Sequence, residues 1–203
     1  MSMTIDYTSL HTATFYLMYA CLALAIFVCV ERLIYYVQTQ KHARELEGAV
    51  TGHAGELHLL PRELTERDSL PAQALRTMMA DIPNTRSPED LQHLSSAVFL
   101  STKSRLQKNL WVLDTIVTAA PLLGLLGTIL GIIETFTTLA EHGISDPKGV
   151  SAGIGTALLA TAMGITVALI GLVFLNHFHD RVDRISEHLK VLLLRSAIRR
   201  EAA

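Results

Sequence analysis

Apolar residues gather in three long blocks along the chain, with polar stretches between and after them. The blocks run from Phe15 to Val37, from Trp111 to Leu139 and from Val150 to Phe178. A helix rises about 1.5 Å per residue, so each block exceeds the roughly 20 residues needed to cross a hydrocarbon core about 30 Å thick. The pattern predicts an all-α membrane protein: three transmembrane helices with long cytoplasmic helical extensions. Its expected segments are 1–14 outside, a first crossing at 15–37, a cytoplasmic helical region at 38–110, a second crossing at 111–139, an outer loop at 140–149, a third crossing at 150–178 and a cytoplasmic C-terminal helix at 179–203.

Orientation follows from where the cations lie. No Lys or Arg precedes Arg32, which argues against a cleaved leader, while Arg32, Lys41 and Arg44 follow the first block. Basic residues crowd 41–108 and the tail from Arg181 to Arg200, and the loop between the second and third blocks holds only Lys148. By the positive-inside rule the N-terminus is outside and the C-terminus cytoplasmic. The formal net charge of -2 adds little to that asymmetry. Tyr16 and Tyr19 at one end of the first block, and Tyr35 and Tyr36 at the other, suit the two interfacial belts. Cys21 and Cys29 are about 12 Å apart along one helix, too far to pair within it, and read as packing residues.

The insert at 38–110 is broken at Gly48, Gly52, Gly55, Pro61, Pro71 and Pro83, which predicts several short helices. Ser87-Pro88-Glu89-Asp90 places a cap residue before a first-turn proline and two acids, the signature of a helix start. No glycine follows until Gly124, so one helix is expected from Pro88 through the second crossing. Beyond the third block, Phe178, Val182, Ile185, Leu189, Leu192 and Ser196 recur every three or four residues. They predict an amphipathic helix packed on the insert or on a neighbouring subunit, with membrane-surface binding as the alternative.

Within the crossings, polar groups form patterns. Asp114, Thr118, Pro121, Leu125, Thr128, Ile132 and Thr135 share one narrow face of the second helix. A single threonine there is satisfied by the preceding turn's carbonyl; several in line, led by an acid, point to a wetted lumen. On the third helix Ala152, Thr156, Ala160, Gly164 and Ala168 step by four, a small-residue row that lets membrane helices approach closely. Gly127 and Gly131 form a GxxxG on the second helix, with Pro121 and Gly124 as further packing candidates. Thr128 and Thr161 lie at similar depth, near the middle of their crossings.

Glu134 is the unusual residue. An ionised carboxylate in hydrocarbon costs several kcal/mol, so its presence in an apolar block marks a functional-site candidate. Three readings stay open: an ion relay, an interface carboxylate bonded across helices, or a group that only reaches the headgroups. Glu134 and Thr156 are expected at nearly the same height. No phosphate loop, nucleophile with a base, or metal-ligand cluster is visible, so neither an enzyme nor a cofactor or metal is expected. His177 and His179 point about 200° apart on a helix, which disfavours shared metal binding.

The segments APLLGLLGTILGIIETF (120–136) and GIGTALLATAMGI (153–165), with VERLIYYV after the first crossing, resemble the MotA/TolQ/ExbB proton-channel family, and its ExbB/TolQ branch in particular. The resemblance implies a subunit of a bacterial inner-membrane motor with a periplasmic N-terminus. It also implies a homopentameric ring around the membrane helices of an ExbD-like dimer, whose aspartate accepts protons. Proton-motive force then energises a TonB-like protein for outer-membrane nutrient uptake; a TolQ-like envelope role, a free-standing ion channel and a passive scaffold are the alternatives, and no nucleic-acid partner is implied. Thr128 and Thr161 match the family's pore-lining threonines, and Pro121 its second-helix proline. One departure stands out: many such chains carry a glutamate where this one has Thr156 and a neutral residue where it has Glu134. The carboxylate is therefore expected to have moved to the adjacent helix, preserving a titratable group near the outer mouth.

Overall fold

The computed structural model describes residues 7–52, 62–81, 87–142 and 147–198. They form α1 (Tyr7–Gly52), α2 (Arg62–Thr65), α3 (Leu70–Asp81), α4 (Pro88–Leu106), α5 (Leu110–His142) and α6 (Pro147–Ile198). Three of these helices, α1, α5 and α6, contain stretches long and apolar enough to cross a membrane. The protein is thus an all-α membrane protein. Gly48 does not break α1, because an isolated glycine costs a helix interior only about 1 kcal/mol and α1 continues to Gly52. Pro71 falls in the first turn of α3, where its missing N–H costs nothing. Gly55, Pro61 and Pro83 lie outside the described residues.

The chain divides into two compact units. The first comprises Met1–Val30 and Asn109–Asn176, the second Glu31–Lys108 and His177–Ala203. In the first unit α5 and α6 run antiparallel in close contact, and the early part of α1 packs on α5 through Thr14 and Gly127. Pro121 sits inside α5 and removes one N–H from the helix ladder.

The second unit has its own core of Tyr36, Leu46, Leu75, Met78, Leu106, Phe178, Ile185 and Leu189, all buried. Ser87 caps α4 as expected: its hydroxyl accepts from the Asp90 N–H while the Asp90 carboxylate accepts from the Ser87 N–H, a reciprocal capping box. The apolar stripe of α6 packs here, with Phe178 5.5 Å from the Tyr36 ring centroid. It is flanked by polar pairs: Arg181 donates to Gln40 at 2.5 Å, and His188 meets Glu47 at 2.6 Å. Val182, Ile185 and Leu189 are buried as the periodicity requires, and Leu193 is buried one turn further on. The side chains of Leu192 and Ser196 lie outside the described residues. The crossing and the C-terminal amphipathic stretch are one uninterrupted helix of 52 residues.

Two further expectations need correction. The helix that starts at Pro88 does not run through the second crossing: it ends at Leu106, and α5 begins at Leu110. Asn109 between them has φ 70, the left-handed conformation that asparagine tolerates better than other side chains. Buried positions at Leu106, Leu110 and Leu113 keep helical spacing across the break, so periodicity gives no hint of it. Tyr36 is not a headgroup residue either. It is 1% exposed, and its hydroxyl donates to the Leu106 carbonyl at 2.9 Å, satisfying an acceptor that the end of α4 leaves open.

Candidate functional site

The middle of the first unit is set by glycine. A Cβ on Gly164 would meet the Ala120 carbonyl oxygen at 2.5 Å and the Gly124 Cα at 3.0 Å; one on Gly124 would meet the Ala160 carbonyl oxygen at 2.9 Å. Backbone therefore lies against backbone, the close approach that small residues allow where lipid provides no hydrophobic drive. One turn away, this approach brings Thr128 and Thr161 into hydrogen bond with each other. Thr128 Oγ1 also reaches the Gly124 carbonyl at 3.1 Å and the Ala157 carbonyl at 2.9 Å, and Thr161 Oγ1 reaches Gly124 at 3.1 Å. Two hydroxyl protons are shared among these oxygens, so the pair is satisfied internally while both residues stay only half-buried.

The other seam residues separate along α5. Asp114 and Thr118 are exposed on the protomer, with the Thr118 hydroxyl donating to its own helix at Asp114 and Thr115, 3.0 Å each. Thr135 is 8% exposed, bonds the Gly131 carbonyl at 2.7 Å and packs against Gly153. It lies between α5 and α6, where a lumen-lining group would be open.

The packing row on α6 also differs from the step-of-four pattern. Ala160, Gly164 and Ala168 are buried, but Ala152 and Thr156 are exposed, and the contact there passes to Gly153 and Ala157. Each step of four residues rotates about 40° beyond a full turn, so a strict four-residue row drifts off a straight interface within two or three steps. Alternating fours and threes (Gly153, Ala157, Ala160, Gly164, Val167, Gly171) hold the face. Gly127 meets Ala160 at 2.9 Å from its hypothetical Cβ and Gly131 meets Ala157 at 2.9 Å, so both glycines of the GxxxG serve this contact.

Glu134 does not meet Thr156, whose hydroxyl bonds Ala152 on its own helix at 3.0 Å. Its Oε2 lies 2.9 Å from Nδ1 of His11 on α1. The apolar pattern of the sequence does not point to His11. The first apolar block begins at Phe15, whereas α1 begins at Tyr7 and carries His11 and Thr14 into the packed seam one to two turns earlier. The available signal was spacing: His11, Thr14 and Met18 sit at three and four, in phase with the buried residues of the helix that follows. His177 accepts from Arg181 Nε at 3.3 Å, in the second unit, while His179 is exposed.

Comparison with known proteins places these helices. The model of the MotA/TolQ/ExbB proton channel family matches residues 66–191, more than half of the chain. The biopolymer transport protein ExbB of Aquifex aeolicus is 40% identical over 80 residues, covering 39% of this chain and 54% of that protein. ExbB of Helicobacter pylori is 39% identical over 87 residues, 43% of this chain and 60% of that one. A putative ExbB homolog from Methanothermobacter thermautotrophicus is 34% identical over 98 residues, 48% of this chain and 34% of the relative. The matched stretch therefore spans between about a third and three fifths of these curated relatives. With α4, α5 and most of α6 inside the family match, the chain belongs to the MotA/TolQ/ExbB proton channel family.

Proposed function

We propose that the chain is the ExbB-like subunit of a proton-driven motor in the bacterial inner membrane, its N-terminus periplasmic and its C-terminus cytoplasmic. Several copies, five by analogy with the family, form a ring. An ExbD-like dimer occupies the lumen, and the motor energises a TonB-like protein for nutrient uptake across the outer membrane. The relatives named biopolymer transport protein ExbB support an ExbB-like reading, and a TolQ-like envelope role is its alternative.

The observation that carries the reading is the Thr128–Thr161 pair. Two half-buried hydroxyls, bonded to each other and to carbonyl oxygens at a glycine-faced crossing, offer a polar strip in otherwise apolar helices. Asp114, Thr118 and Thr156 add exposed polar groups on the same two helices. Facing lipid the Asp114 carboxylate would be unfavourable; facing a lumen between copies it would be solvated. Asp114 and Glu134 are titratable groups that the chain itself carries on α5, and the reversible carrier at the midplane comes from the partner. Moving one charge through 100 mV releases about 2.3 kcal/mol, so a large displacement needs several protons in sequence.

Purification of the tagged full chain from its native membranes, followed by native mass measurement and proton-flux assay in vesicles, tests the reading. A ring holding a second, single-span polypeptide is expected, with flux reduced at least tenfold by Thr128→Val with Thr161→Val. A ring of this chain alone that conducts at the same rate would replace the motor with a free-standing channel.

A further inference from the structure

Resting on the motor reading, we propose that His11 and Glu134 form a proton-holding site of this chain, an imidazole–carboxylate pair between α1 and α5 that loads and releases one proton per subunit. His11 Nδ1 lies 2.9 Å from Glu134 Oε2, with the side chains 14% and 29% exposed. The ring is seated by two neighbours: a Cβ on Gly131 would come within 3.0 Å of Nε2, and Phe15 meets the imidazole edge-on at 5.1 Å between centroids. A side chain at position 131 would occupy the ring's place.

The second ring nitrogen is what separates a proton site from a packing contact. Among the described residues, Nε2 is buried and has no hydrogen-bond partner. When Nδ1–H donates to the ionised carboxylate, Nε2 is a bare basic lone pair; buried polar atoms in a merely structural pair are normally satisfied. In that state the pair carries a net charge of −1 in a low-dielectric setting. One added proton brings it to zero, as imidazolium with carboxylate or as imidazole with carboxylic acid, and the neutral pair is the cheaper one to hold away from water. Among the described residues the titratable group that faces the ring is Glu134 of α5, and Gly131 of the same helix lies between the ring and Ala157 of α6. The more exposed carboxylate is the side through which protons exchange. It lies six residues, about 9 Å along α5, from Thr128.

The test uses the complex purified through the full chain and reconstituted in vesicles with a pH-sensitive dye. His11→Asn keeps an amide N–H near the Nδ1 position but takes up no proton; Glu134→Gln keeps the shape of the acid. Each is expected to lower proton flux at least tenfold, the double variant to lower it no further, and the flux remaining in His11→Asn to lose the pH dependence of the original. Thr128→Val serves as the control for the parent reading. If Thr128→Val cuts flux tenfold while His11→Asn stays within twofold of the original with the same pH profile, the pair only packs and the proposal falls alone. If neither alters flux, the motor reading falls and the proposal with it. Should His11→Asn fail to assemble by native mass, infrared difference spectra between two pH values decide: a carboxylate or imidazole band lost in Glu134→Gln is expected, and loss of no band overturns the site.

Discussion

Replacing Gly164 by alanine should separate α5 from α6. The added Cβ would sit 2.5 Å from the Ala120 carbonyl oxygen, 3.0 Å from Gly124 Cα and 3.2 Å from Gly124 N, all backbone atoms that no rotamer change can move. Ordinary contact needs about 3.5 Å, so the helices must part locally by roughly 1 Å, a gap that forfeits a quarter to a half of each dispersion contact across it. Overpacking of this kind costs about 1–3 kcal/mol, and stretching the Thr128–Thr161 bonds adds about 1 kcal/mol, giving about 2–4 kcal/mol in all. Gly155→Ala is the matched control: it lies on the same helix, nine residues away, with nothing within 4 Å of the new methyl group. That variant should be neutral or more stable by up to about 1 kcal/mol, because alanine is the better helix former. Denaturation in detergent, followed by circular dichroism and repeated on the ring by native mass, compares the two. Equal stability, within about 0.5 kcal/mol, would refute the claim that backbone contact at Gly164 sets the hydroxyl pair.

Two further outcomes check the second unit and the α4–α5 turn. Tyr36→Phe removes the donor to the buried Leu106 carbonyl and should cost about 1–2 kcal/mol, seen as a lower melting temperature and faster proteolysis at 107–109; an unchanged melt would mean that water replaces the phenol. Asn109→Ala should be about 1 kcal/mol less stable than Asn109→Gly, since φ 70 suits glycine and not alanine, and equal melts would contradict the left-handed turn.

Much of this molecule is legible along the chain because its strongest signals are local. Twenty or more apolar residues in sequence require a helix, since any other backbone would leave polar groups unsatisfied in hydrocarbon. Ser87-Pro88-Glu89-Asp90 dictates the start of α4 through groups only three residues apart. The glycine and threonine spacing of 120–136 and 153–165 carried the family resemblance for the same reason. The α4–α5 break is not legible in the pattern because one asparagine marks it and the apolar period runs through it undisturbed.

What the tertiary structure alone decided is which helix each polar group answers to. Helical spacing gave the direction of Glu134 on its own helix but not the neighbour it meets; His11, 123 positions earlier, becomes that neighbour only when α1 packs on α5 at the slot left by Gly131. Likewise, a four-residue row looks straight in a sequence, while a real interface selects fours and threes to cancel the helix's rotation, turning Thr156 outward and Ala157 inward. The sequence by itself determined the helices, their apolar content and the hydroxyls they carry. Packing decided the partners, because contact between helices depends on rotation and approach distance, neither of which is encoded by any one segment.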